Sequence, residues 1–199
     1  LGRTFRDVIG EKIFENEDGV AESYASYGKH IEGYALTWSN LLQMSTVVVL
    51  GEAGSGKSYE FRNQANVLAG DGKDAFYIEL ERLARSPYEQ AVAEDTRHRV
   101  AKWTRKNSIG YFFLDAVDES KLQRSQDFYN ALDSLGSQLP QKTRARCRLF
   151  ISSRISGWNP DVDGGEVYRR LCRSTTGRTS VTKVVQINPL TQSQIQLYA

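Results

Sequence analysis

The sequence predicts an α/β sandwich in which a largely parallel sheet of about five strands is covered by helices on both faces. Three observations predict it. Short apolar, β-branched runs alternate with longer segments of helical spacing along most of the chain. The first such run, Thr46-Val47-Val48-Val49-Leu50, suits a strand buried on both faces and leads straight into a glycine-rich turn. A later run, Tyr111-Phe112-Phe113-Leu114-Asp115, ends on an acid, and ligands of parallel sheets sit at the carboxyl ends of strands.

The elements follow in order. A helix is expected from Lys57 to about Leu68, closed by Gly70 and Gly72. Ala75–Leu80 reads as a second strand. A polar helix is expected from about Tyr88 to Arg105, with Ser86 and Pro87 as N-cap and first helical residue. Tyr111–Asp115 is the third strand. Phe128, Leu132, Leu135 and Leu139 recur at helical spacing before Pro140. Arg148–Ser153 is a fourth strand, and Val181–Ile187 a fifth. Gly157-Trp158-Asn159-Pro160 and Asp163-Gly164-Gly165 mark an irregular loop between them. A last helix begins at Thr191.

The chain of 199 residues is 40% hydrophobic and 25% charged, enough to fill the core of one large domain or one domain with a fragment. A net charge of +2 gives no argument for a nucleic-acid partner. Two cysteines, Cys147 and Cys172, without CxxC spacing exclude a disulfide scaffold and a structural zinc site, and suit the reducing cytoplasm. No apolar run approaches the roughly 20 residues that cross a bilayer, so no membrane partner is expected. Leu1–Arg6 lacks the apolar stretch of a signal peptide. A start at Leu1 and a stop at Ala199, inside an amphipathic stretch, suggest an excised region of a longer protein.

Gly51-Glu52-Ala53-Gly54-Ser55-Gly56-Lys57-Ser58 fits GxxxxGK followed by Ser or Thr at every fixed position. Glycines let the backbone curl so that its N–H groups converge on phosphate oxygens, and the following helix adds the positive end of its dipole. Lys57 can reach β- and γ-phosphates, and the Ser58 hydroxyl can ligate magnesium. A glycine-rich turn that matches by chance would lack the strand before it and the helix after it. The architecture expected is therefore a P-loop NTPase three-layer sandwich. Gly51 to Ser58, with Tyr59 beside them, form the expected nucleotide-binding set.

Asp115 stands where a Walker B acid would hold the water shell of the metal, so Ser58 and Asp115 are the expected magnesium residues. Asp118 and Glu119 follow three and four residues later. Either can orient or deprotonate the attacking water, and both also suit an acidic helix N-terminus.

Taken together, these motifs resemble the STAND class of signalling NTPases, and its NACHT branch in particular. Asp115, Ala116, Val117, Asp118 and Glu119 match the branch's strand-end Asp, small residue, any residue and acidic pair. Leu149-Phe150-Ile151-Ser152-Ser153-Arg154 resembles its sensor strand, whose terminal Arg faces the γ-phosphate. Asn188-Pro189-Leu190-Thr191 resembles the start of its helical domain. Ala53 and Tyr59 depart from the family's usual residues without touching the chemistry. The resemblance divides the chain into a helical lead-in of unknown role over 1–40, an NTPase core over 41–188, and a truncated helical domain over 189–199.

It implies an ATP-driven switch with slow, regulatory hydrolysis, using magnesium, in which sensor and effector domains of a longer chain flank the core and subunits assemble on activation. Innate immune receptors and antiphage defence proteins belong to this class. Lys57, Asp118 or Glu119, and Arg154 are the implied catalytic residues. The motifs do not separate ATP from GTP. A small-molecule kinase sharing the loop and a non-catalytic nucleotide-binding scaffold remain as alternatives.

Other polar and aromatic residues carry weaker signals. Arg154 can stabilise charge on a transferred phosphate or simply be solvated at a loop entrance. Lys142, Arg144, Arg146 and Arg148 form a basic run that reads as a solvated edge rather than a nucleic-acid patch. His30 and His98 have no partner spacing for metal or nucleophilic chemistry. Tyr24, Tyr27, Tyr34 and Trp38 cover a nucleotide base or pack on the sheet edge, with packing the expectation. Trp158 lines a partner surface or packs within its loop.

Overall fold

The computed structural model describes residues 2–13, 35–116, 125–159, 162–172, 181–192 and 196. Its centre is a seven-stranded sheet in the order β2-β1-β7-β3-β6-β5-β4. β3 (Thr46–Leu50), β4 (Asp74–Glu79), β5 (Gly110–Asp115), β6 (Cys147–Ser153) and β7 (Val181–Ile187) run parallel. β1 (Thr4–Ile13) pairs antiparallel with β7, and β2 (Leu36–Thr37) pairs antiparallel with β1. β3 is the middle strand, and each of its residues is buried. That is why its sequence carries no polar alternation.

Side chains alternate across this sheet and divide the interior into two cores. Val48, Leu50, Phe112, Leu114 and Ile151 face one side. There they meet α3 (Leu80–Arg85), α5 (Glu94–Thr104) and α6 (Ser125–Gln138) through Leu80, Leu83, Val100, Trp103, Leu132 and Leu135. Val47, Val49, Phe113 and Phe150 face the other side. α2 (Lys57–Gly70) covers it with Phe61, Ala65 and Leu68, spaced four and three residues apart on one helical stripe. α1 (Trp38–Leu41) completes this layer, where Trp38 meets Phe5, Phe61, Phe113 and Phe150 edge-on at 5.0–6.0 Å between ring centroids. Full burial of one such ring is worth about 1.5–3 kcal/mol. The result is the P-loop three-layer sandwich.

Several expectations need correction. Five strands describe the parallel part alone, and residues 4–13 extend the sheet instead of forming a helical lead-in. The edge of β7 is completed by this strand, which buries Phe5 and leaves Arg6, Asp7 and Val8 to solvent. The helix expected over Tyr88–Arg105 is two helices, α4 (Tyr88–Ala91) and α5, broken where Val92 and Ala93 turn extended. Ser86 ends α3, and Pro87 with ψ 150° takes the N-cap of α4, one residue later than the sequence suggests. Asp163-Gly164-Gly165 opens a helix, α8 (Asp163–Val167), followed by a π-helical turn over Tyr168–Cys172. The buried Asp163 carboxylate accepts bonds from the Asn159 N–H at 2.7 Å and the Tyr129 hydroxyl at 3.1 Å, which fixes the entry to that helix.

The arginines of the basic run are structural, while Lys142 is exposed. After α7 (Gln141–Arg144), Arg144 donates to the carbonyls of Gly136 and Leu139, Arg146 to that of Ser108, and Arg148 to that of Leu42. Trp158 is buried in the first core, 6.5 Å from the Phe128 ring, so it packs rather than facing a partner. Trp38 likewise packs. Tyr24, Tyr27, Tyr34 and His30 lie outside the described residues, as does most of the helix expected from Thr191. His98 is exposed on α5.

Candidate functional site

The loop Gly51–Gly56 leaves the carboxyl end of β3 and enters α2 at Lys57. Its conformation explains its glycines. Gly54 and Gly56 have φ of +74° and +88°, the left-handed region that L side chains rarely enter. Gly51 is tied down by its N–H, which donates to the Ser153 carbonyl of β6 at 3.2 Å. A Cβ at Gly51 would lie 2.6 Å from Ile187 Cγ2 and 2.8 Å from Ser55 Oγ, so the backbone passes where no side chain fits. The Lys57 ammonium donates to the carbonyls of Gly51 at 2.6 Å and Glu52 at 2.9 Å, and lies 3.4 Å from Ser55 Oγ. A lysine so placed spans the mouth of the curl. Ser58, half-buried, follows in the first turn of α2, and Tyr59 is 59% exposed. Glu52, Ala53 and Gly54 are exposed at the tip, and Ser55 is half-buried.

The acid arrives from two strands away. β6 separates β3 from β5, and the register places Val49, Ser152, Asp115 and Glu79 in one row across the sheet. With strands about 4.8 Å apart, Asp115 lies about 10 Å across the sheet from Val49, two residues before the loop begins. Asp115 is fully buried. The Ser152 hydroxyl donates to its Oδ1 and the Tyr77 hydroxyl to its Oδ2, the latter at 2.6 Å. Ser152 Oγ in turn accepts the N–H of Ala116 at 3.0 Å, so the backbone just after the acid is held too. The Arg62 guanidinium, on α2, lies over the Tyr77 ring at 4.9 Å and donates to its hydroxyl at 3.4 Å. Burial, then the hydrogen bond to Asp115, push the Tyr77 phenol well above its ordinary pKa and keep it a donor.

Arg154 is the first residue after β6, half-buried, between the strands that carry the loop and the acid. Asp118 and Glu119 lie outside the described residues. The structure thus brings Gly51–Ser58, Asp115 and Arg154 to one end of three adjacent strands. Sequence reading missed Ser152 as a partner of the acid, although a polar pair inside an apolar strand was the signal. It also missed Tyr77 and Arg3, which non-local pairing alone brings to the site. A cavity of about 270 Å³ lies on the outer side of β4, lined by Arg62, Tyr77, Glu79, Arg82, Val92 and Arg99, and meets the acid through Tyr77.

Sheet order, loop and strand-end acid together define the P-loop NTPase fold class. No protein-family model matches the chain, and no curated protein matches it. Among solved structures it is similar to the Orc1 protein of Aeropyrum pernix in complex with DNA, with a TM-score of 0.41 and 13% sequence identity. That similarity covers 76% of this chain and 41% of the Orc1 chain. Among the described residues no helix is long and apolar enough to cross a membrane, and no group of three or more His, Cys, Asp or Glu side chains could hold a metal ion.

Proposed function

We propose that the protein binds a nucleoside triphosphate with magnesium and hydrolyses it slowly, as a regulatory switch of the STAND/NACHT type. The observation that carries this reading is the loop itself. Two left-handed glycines and a lysine bonded across its mouth stand two strands away from the buried Asp115, with β6 between. Such a curl turns successive backbone amides toward one anion and stands at the N-terminus of a 14-residue helix. The residues also fit magnesium, which keeps several waters and takes one or two protein ligands plus phosphate oxygens rather than a cage of carboxylates. Ser58 and Asp115 are the residues that would hold it. Magnesium, when bound, neutralises charge on the phosphates.

This chain's own residues divide the remaining work. Lys57 and the amides of residues 52–58 hold phosphate oxygens, and Tyr59 flanks them. Ser152 and Tyr77 keep Asp115 aimed by donating to it. Arg154 reads the terminal phosphate, and Asp118 or Glu119 orients the attacking water. ATP is the nucleotide we favour. The resemblance of the motifs supports placing this core within a longer sensor–effector protein that assembles into homo-oligomers in the cytoplasm, in an immune or antiphage role.

One observation favours a second reading, a non-catalytic nucleotide-binding scaffold. Both Asp115 oxygens are already engaged by protein hydroxyls, which suits a static site. Phosphate release separates the two. The switch requires magnesium-dependent release from ATP that falls at least tenfold in Lys57→Ala. Tight nucleotide binding without release by the wild type would establish the scaffold, and no binding at millimolar magnesium nucleotide would sink both.

A further inference from the structure

Arg3 is 3% exposed, a charge taken out of water immediately before β1. Its Nη2 donates to the Ser55 carbonyl at 2.5 Å, across 52 residues of chain. Its Nε stands 4.0 Å from Glu60 Oε1 on α2, beyond hydrogen-bonding distance, and Nε and Nη1 have no hydrogen-bond partner. Glu60 is itself 3% exposed and accepts the Trp38 indole N–H at 3.2 Å. Burying a guanidinium is costly, and well-packed apolar replacements of buried ion pairs are often neutral or stabilising. Stability alone therefore gives little reason for an arginine here.

What Arg3 touches gives the reason. A trans peptide is planar, so its C=O and N–H point in opposite directions. The Ser55 carbonyl belongs to the same peptide as the Gly56 N–H. Pulling that carbonyl outward toward β1 turns the N–H away from β1, into the curl. Gly56 is the residue at φ +88° that begins the turn into α2, so its peptide is one that the chain could easily flip.

We propose that Arg3 is a positioning residue for the phosphate loop, holding the Ser55–Gly56 peptide so that the Gly56 amide faces the phosphate oxygens. The first strand of the chain is thereby part of the nucleotide site. This rests on reading Gly51–Ser58 as a phosphate loop.

The test uses Arg3→Met combined with Glu60→Met, which removes the buried pair together, and measures equilibrium binding of magnesium ATP and of inorganic tripolyphosphate. The expected result is a melting temperature close to wild type with both ligands bound about tenfold more weakly. Wild-type affinity in the double variant overturns the proposal. So does a loss confined to ATP, which would place Arg3 at the base or ribose. Should the double variant not fold, Arg3→Ala titrated with methylguanidinium replaces it: recovered tripolyphosphate binding supports the proposal, and no recovery overturns it. If the wild type binds neither ligand, the phosphate-loop reading itself fails. If the wild type binds and the variants bind equally well, the role of Arg3 alone fails.

Discussion

The Tyr77 hydroxyl donates to Asp115 Oδ2 at 2.6 Å, from the neighbouring strand and two rows short of Glu79, the residue level with the acid. The relationship ties the edge strand β4 to the carboxylate on which metal binding depends. Hydrogen bonds to charged groups are worth about 1.5–3 kcal/mol, and partial exposure of Tyr77 brings that toward the lower end. Tyr77→Phe and Asp115→Asn are therefore expected to show a coupling of about 1–2 kcal/mol in a double-mutant cycle read by urea unfolding. Additive single effects would mean that the bond does not form.

Ser152 holds the other oxygen of Asp115 and the Ala116 N–H at once. Removing its hydroxyl leaves a donor and part of a carboxylate buried without this partner, at about 2–3 kcal/mol. Ser152→Ala is expected to lower the unfolding free energy by that amount, read as a lower urea midpoint at an unchanged m-value. A loss of unfolding free energy below about 0.5 kcal/mol would show that water replaces the hydroxyl, as at an exposed site.

Much of this site was written locally in the sequence. The Gly51–Ser58 loop, the strand before it and the helix after it depend on neighbours in the chain, and their extents match to within two residues. Asp115 likewise marks its own strand end. What the sequence did not display is pairing. Nothing local says that β6 enters between β3 and β5, and so nothing says that Ser152 is level with Asp115. β1 was hidden for a related reason. It buries Phe5 but exposes the neighbouring Arg6, Asp7 and Val8, so the alternation that marks a strand is weak. Arg3 looked like an ordinary surface charge, since its burial follows from β1 joining β7.

Two glycines of α2 and its approach separate conformation from composition. Gly56 sits at φ +88°, where a side chain costs about 1–2 kcal/mol, while a Cβ on Gly70 would meet nothing within 4 Å at the helix end. Gly56→Ala is expected to lose that stability and to weaken magnesium nucleotide binding more than tenfold. Gly70→Ala is expected to gain up to about 1 kcal/mol and to bind as wild type. Equal behaviour of the two in urea unfolding would contradict the left-handed turn.

Glu60 gives the fold a pH dependence whose sign is fixed by its surroundings. Burial raises its carboxyl above the ordinary 4.5, against the opposing pull of the Trp38 indole N–H and of Arg3. With the folded pKa above the unfolded one, the folded state binds more protons between them, so stability falls as pH climbs through that interval and then levels off. Glu60→Gln keeps an acceptor for the Trp38 N–H and removes the titration. Its melting temperature relative to wild type should therefore rise as pH increases from about 4 toward the folded pKa, and stay constant above it. Melting curves of both proteins over about pH 4 to 7 read this directly. A difference that stays flat across the range, or shrinks with pH, would place the Glu60 carboxyl in water rather than between Arg3 and Trp38.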